Sequence, residues 1–145
     1  MKELVLFYSY SGSTKKIAQK FSQENKFDIC EVVDKKRPNK FYAYTAGILK
    51  TFRGAEIPVE PLVLNSAPVN FADYGVVNIF SPVWADHVTP SMTGALKMIP
   101  KNTKIKLFMV SATGKSGKDS MSKRVQDLGL EIVGYEDIKA DKQKK

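Results

Sequence analysis

Four hydroxyls crowd into six residues near the start of the chain: Ser9, Ser11, Ser13 and Thr14, with Tyr10 and Gly12 between them. Such groups donate hydrogen bonds to an anion. Lys15 and Lys16 follow at once, and Ile17 and Phe21 then stand four apart, on one face of a helix. The first N–H groups of a helix have no partner inside it, and the helix dipole favours negative charge there. Gly12 lets the backbone bend close to a ligand. A terminal phosphate monoester suits this loop. A turn that merely caps the helix is the plain alternative, but one Ser or Thr suffices for that. The loop is too short for a Walker motif, and it lacks the Gly-x-Gly-x-x-Gly of a dinucleotide site.

Other chemistries find little support. Cys30 is the only cysteine, so no intrachain disulfide forms, and its apolar run makes it a small core residue. One histidine, His87, with so few thiols leaves no metal-ligand set, and His87 reads as an ordinary surface residue of a loop. No catalytic triad or paired carboxylates stand out.

Strand and helix patterns alternate along the chain. Leu4 to Tyr8 is an unbroken apolar run, as a strand buried on both faces has. A helix is expected from about Thr14 to Glu24, then a strand over Asp28 to Val33 and a charged turn over Asp34 to Asn39. Phe41, Tyr44, Ile48 and Phe52 predict a second helix through Arg53, capped by Gly54. Val76 to Phe80 reads as the third strand, with Asn78 an odd polar residue that needs a partner if buried. The polar loop Ser81 to Pro90 carries the only tryptophan, Trp84. Ser91 to Met98 reads as a helix, Ile105 to Val110 as the fourth strand and Ser111 to Gly117 as another polar loop. A helix over Asp119 to Leu128 and a fifth strand over Leu130 to Tyr135 complete the order. The alternation predicts an α/β fold, a parallel sheet with helices on both faces. At 145 residues, one domain over 1–145 is expected.

Ser9-x-Ser11-Gly12-x-Thr14 resembles the flavodoxin phosphate loop, Thr/Ser-x-Thr/Ser-Gly-x-Thr. Tyr74 to Trp84 resembles that family's third strand and flavin loop, and Thr113-Gly114 sits where its second flavin loop begins. The resemblance spans about residues 3 to 138. It implies a flavodoxin-like doubly wound sheet of five parallel strands in the order 2-1-3-4-5, with FMN at the carboxyl ends of the strands. It implies that Ser9, Tyr10, Ser11, Gly12, Ser13 and Thr14 hold the FMN phosphate. The flavin ring would then lie between Ser81, Pro82, Val83, Trp84 and Ala85 on one side and Ser111, Ala112, Thr113 and Gly114 on the other. Trp84 would stack on the ring.

The chain departs from that pattern in four places. It is basic, at +8, where many flavodoxins are acidic. The loop Ser111 to Asp119 has no second stacking aromatic. Ala85 stands where relatives with a tryptophan here often carry glycine. Glu136 to Lys145 is short and charged, so the family's C-terminal helix is expected to be missing, leaving apolar side chains of the first and fifth strands for a second copy or a partner to cover.

The resemblance implies an FMN-binding electron-transfer protein. A flavin-dependent NAD(P)H or quinone oxidoreductase, and an interaction module of the same fold without flavin, are the alternatives. The positive charge suits acidic redox partner proteins. No nucleic-acid motif accompanies it, and no apolar run approaches the ~20 residues of a membrane helix. The start of the chain does not resemble a signal peptide, so a cytoplasmic location is expected.

Overall fold

The apolar run that opens the chain is strand β1 (Lys2–Phe7). Leu4, Val5 and Leu6 are wholly buried, as a strand covered on both faces must be. This computed structural model describes residues 2–35, 58–84 and 87–140. After β1 come α1 (Ser13–Asn25), β2 (Asp28–Glu31), β3 (Val63–Leu64), β4 (Ala67–Pro68) and β5 (Tyr74–Trp84). Then follow β6 (His87–Val88), α2 (Pro90–Leu96), β7 (Lys104–Ser111), α3 (Lys118–Gln126) and β8 (Glu131–Lys139). The long strands pair in parallel in the order β2-β1-β5-β7-β8, which is the expected 2-1-3-4-5. The helix expected over Phe41 to Arg53 lies outside the described residues.

Two stretches differ from expectation. Ser81 to Trp84, read as loop, continue β5. Ser81 and Pro82 stand opposite Met109 and Val110 of β7, and Val83 and Trp84 pair with Val88 and His87 of β6 in an antiparallel hairpin. Pairing with β1 stops at Phe7 and Phe80, so Pro82 falls where β5 has β7 alone beside it, and its missing N–H is tolerated. His87 is therefore buried in a short strand, at 9% exposure, and not on the surface. Glu136 to Lys139, read as a charged tail, extend β8 through pairing with Phe108 to Ser111. Asn65 and Ser66, at φ 52° and 65°, join β3 to β4. Two left-handed residues in succession are what a tight hairpin requires.

Alternation along the strands sorts the core into two layers. Leu4, Leu6, Val77, Ile79, Leu107 and Met109 face α2 and α3, which contribute Met92, Leu96, Met121 and Val125. Val5, Phe7, Phe80 and Phe108 face α1, whose Ala18, Ile17 and Phe21 cover them. The Phe80 and Phe108 rings stack at 4.4 Å and 5°, and Phe21 lies 5.2 and 5.1 Å from them. So β1 has its cover from α1, contrary to the expectation that it is left bare. On β8, Val133 remains 43% exposed.

No helix follows β8 among the described residues. The sheet face that holds the phenylalanines carries a more polar row one step nearer the amino ends: Val5, Asn78, Lys106 and Gly134 in register. Asn78 is wholly buried, and its amide donates to Glu3 Oε1 (3.2 Å) and to the Leu4 carbonyl (3.3 Å). The Lys106 stem lies over Gly134, where an added Cβ would come within 3.1 Å of Lys106 Cγ. Polar residues here suit a face on which, among the described residues, α1 is the one helix that packs.

Tyr74 ties the start of β5 to β2 through a 2.8 Å hydrogen bond to Asp28. Burial first, and then the Asp28 carboxylate, push its phenol up to about 12. The folded protein therefore holds this proton more tightly than the unfolded chain, where a tyrosine titrates near ~10. That contribution is whole below pH ~10 and is lost as the pH rises towards about 12. Urea unfolding at rising pH should show stability falling across that window, and Tyr74→Phe should flatten the fall. An equal decline in both proteins would contradict this.

Candidate functional site

The loop after β1 leads directly into α1. Gly12 is the residue before the helix and sits at φ 101°, a left-handed conformation that a side chain would strain even though a Cβ there meets nothing within 4 Å. Its N–H donates to Ser9 Oγ (3.0 Å), and its carbonyl accepts from Lys16 N–H (3.2 Å). No side chain caps the helix. The N–H groups of Ser13, Thr14 and Lys15 thus point out of the helix start without a side-chain acceptor. Among the described residues the hydroxyls of Ser11, Ser13 and Thr14 form no hydrogen bond, although Thr14 is only 2% exposed. No acidic residue lies in the first turn, which instead holds Lys15 and exposed Lys16 behind it. Cations at a helix start oppose the dipole, and an anion bound there offsets both.

The loop after β1 meets the β5–β6 hairpin through its aromatic residue. Tyr10 and Trp84 pack edge to face, with centroids 5.9 Å apart and planes at 76°. Tyr10 and Val83 also pack on the core that faces α2 and α3. Trp84 itself is partly exposed. Ser81 is wholly buried: its hydroxyl donates to the Pro82 carbonyl (2.9 Å) and accepts from Thr89 N–H (3.4 Å). Both bonds serve the hairpin. Ala85 lies outside the described residues.

The loop after β7 closes on itself. Lys115 N–H donates to Ser111 Oγ (3.0 Å) and Thr113 Oγ1 (3.3 Å). Gly114, at φ 74°, passes against β8, where a Cβ would come within 3.2 Å of Lys139 Cβ. Ala112 and Thr113 are exposed. Ser9 to Thr14, Ser81 to Trp84 and Ser111 to Gly114 thus stand at the carboxyl ends of β1, β5 and β7, adjacent strands of one parallel sheet.

No family model matches the chain, and no curated protein matches it. Solved structures do. The chain is similar to a flavoprotein in complex with FMN from Lactobacillus acidophilus NCFM, at 24% identity over 92% of this chain and 91% of that one, with a TM-score of 0.73. It is similar to a putative flavoprotein from Bacteroides eggerthii, at 16% identity over 93% and 86%, with a TM-score of 0.75. It is also similar to a flavodoxin from Streptococcus pneumoniae TIGR4, at 11% identity over 99% and 88%, with a TM-score of 0.51. The fold is flavodoxin-like.

Two networks at this edge of the flavodoxin-like sheet carry no signal in the sequence. Asp34 accepts hydrogen bonds from Tyr8 OH (2.7 Å) and from the wholly buried Ser91 hydroxyl. This carboxylate joins the end of β1 to the start of α2. Ser116 bonds Tyr135 OH and donates to Asp137 Oδ1 (2.5 Å), while Lys118 Nζ lies 5.7 Å from the Tyr135 ring centre. These contacts fasten the loop after β7 to β8. Both pairings span residues far apart in the chain, so local pattern reading has no access to them.

Cys30 is not poised as a nucleophile. Cys30 is 2% exposed, with its thiol 3.3 Å from the Val63 carbonyl. Burial pushes that thiol up, so thiolate is scarce at neutral pH. No cluster of His, Cys, Asp and Glu among the described residues could hold a metal.

Proposed function

We propose that the protein binds FMN and carries electrons. The observation that carries this reading is the start of α1: an uncapped helix, preceded by a left-handed glycine, surrounded by unengaged hydroxyls and followed by lysines that the helix dipole disfavours. These residues fit a phosphate dianion. FMN supplies reversible one- and two-electron chemistry when bound; the protein supplies binding, orientation and field.

Ser11, Ser13 and Thr14 would donate hydroxyls to the phosphate, beside the N–H groups of the first turn. Trp84, held edge-on by Tyr10, would offer its indole face to the flavin ring. Ala112, Thr113 and Gly114 would border the other side. The likeness to a flavoprotein in complex with FMN supports this arrangement.

Trp84→Ala should weaken FMN by about 1–2 kcal/mol, roughly 5- to 30-fold, because a large flat contact is lost. Flavin fluorescence titration measures it, and an unchanged affinity would remove Trp84 from the site. A second reading has one observation in its favour. The loop after β7 offers no aromatic, so one ring face would be open to a stacking substrate, as an NAD(P)H or quinone oxidoreductase needs. Steady-state NAD(P)H oxidation by the FMN-loaded protein separates the two: turnover with a quinone supports the enzyme, and its absence the carrier.

A further inference from the structure

Exposed lysines surround the carboxyl ends of the strands. Lys15 and Lys16 stand at the start of α1, Lys115 in the loop after β7, Lys118 at the start of α3 and Lys139 at the end of β8, all exposed. None of the five forms an ion pair among the described residues. Two carboxylates of the same edge are occupied by hydroxyl donors: Asp34 by Tyr8 and Ser91, and Asp137 by Ser116. Asp119 and Glu136 remain exposed nearby. At the amino ends of the strands, Lys2, Lys26 and Lys104 stand among the carboxylates Glu3, Asp28 and Glu131.

We propose that the lysine-bearing edge is the docking face for an acidic redox protein. The proposal rests on the FMN reading above and adds the partner's chemistry to it. Lys15 and Lys16 flank the phosphate loop, while Lys115, Lys118 and Lys139 flank the loop on the far side of the site. Ammonium groups without a carboxylate partner, on both sides of one opening, steer a carboxylate-rich surface onto it. The interspersed Asp119 and Glu136 repel a continuous phosphate backbone but suit a protein face of mixed charge. Of the exposed large hydrophobics Val33, Val63, Met98 and Val133, Val33 alone lies at this edge, after β2, and none lies in the loops after β1 and β7.

The test uses the FMN-loaded protein, chemically reduced, as electron donor in stopped flow. The acceptor is an acidic haem protein of the cytochrome b5 type, with basic cytochrome c as counterprobe. Two ferric haems take the two electrons of each flavin hydroquinone and become ferrous; the anionic hydroquinone gives up one proton to water as it returns to oxidised FMN, the neutral form two. The rate with the acidic acceptor should fall roughly tenfold as salt rises, and the rate with cytochrome c should rise. Replacing Lys15, Lys16, Lys115, Lys118 and Lys139 by Gln should slow the acidic reaction roughly fivefold at low salt. Replacing Lys2, Lys26, Lys97, Lys101 and Lys104 by Gln removes the same charge from the other end and should slow it less than about twofold. Equal losses in the two variants overturn the proposal, because the effect is then one of net charge. Faster transfer to cytochrome c at low salt overturns it too, as does lysine-dependent retention on duplex DNA or phosphatidylserine vesicles at a salt that abolishes the acidic-protein effect. Failure to take up FMN overturns the FMN reading along with it; FMN uptake with equal losses overturns the docking alone.

Discussion

Phe80→Ala is expected to lower folding stability by about 3–5 kcal/mol. Phe80 is 1% exposed and stacks on Phe108, with Phe21 of α1 seated over both rings. Removing the ring takes away its transfer free energy and leaves a cavity that a strand in mid-sheet is poorly able to close. It also removes much of what holds α1, and with it Gly12 and the helix start, against the sheet. Urea unfolding should show the midpoint falling with little change in slope. A loss under about 1 kcal/mol would mean that α1 is held by other contacts.

The second large effect concerns ligand choice. Ser11→Ala with Thr14→Ala should weaken FMN by about 3 kcal/mol, roughly 100-fold, while riboflavin changes little. Hydrogen bonds to a charged group are worth about 1.5–3 kcal/mol each, and the proposed site sets both hydroxyls on the phosphate. Riboflavin has no phosphate and cannot feel their removal there. Parallel titrations with the two flavins measure the difference. Equal losses for both would place these hydroxyls elsewhere on the ligand or in the fold itself.

Much of this fold is legible in the sequence because its signals are local. Leu4 to Tyr8 is apolar without a break, and all five residues are buried, Leu4 to Phe7 of them within the parallel sheet. The helix expected from Thr14 runs from Ser13 to Asn25, since Ile17 and Phe21 mark its inner face. The strand order came through the resemblance and not through periodicity. What escaped is set by tertiary pairing. Ser81-Pro82 looks like a loop because proline breaks strands, yet β7 runs beside it and β1 has already ended. Glu136 to Lys139 looks like a tail because only Ile138 is apolar, yet their backbone pairs with β7. Asp34 and Ser91 are 57 residues apart, and no spacing rule connects them. Asn78 is the intermediate case: its need for a partner could be read from its type, but Glu3 as that partner could not.

In the FMN reading proposed above, the start of α1 recognises a terminal phosphate on a flavin. Fluorescence titration of the purified, flavin-free protein with FMN and with riboflavin tests it most directly. Trp84 should quench flavin fluorescence, and the affinity for FMN should exceed that for riboflavin by at least roughly 100-fold, the worth of the about 3 kcal/mol that the Ser11 and Thr14 hydroxyls supply between them. Equal affinities for FMN and riboflavin, or no binding of either, would contradict it.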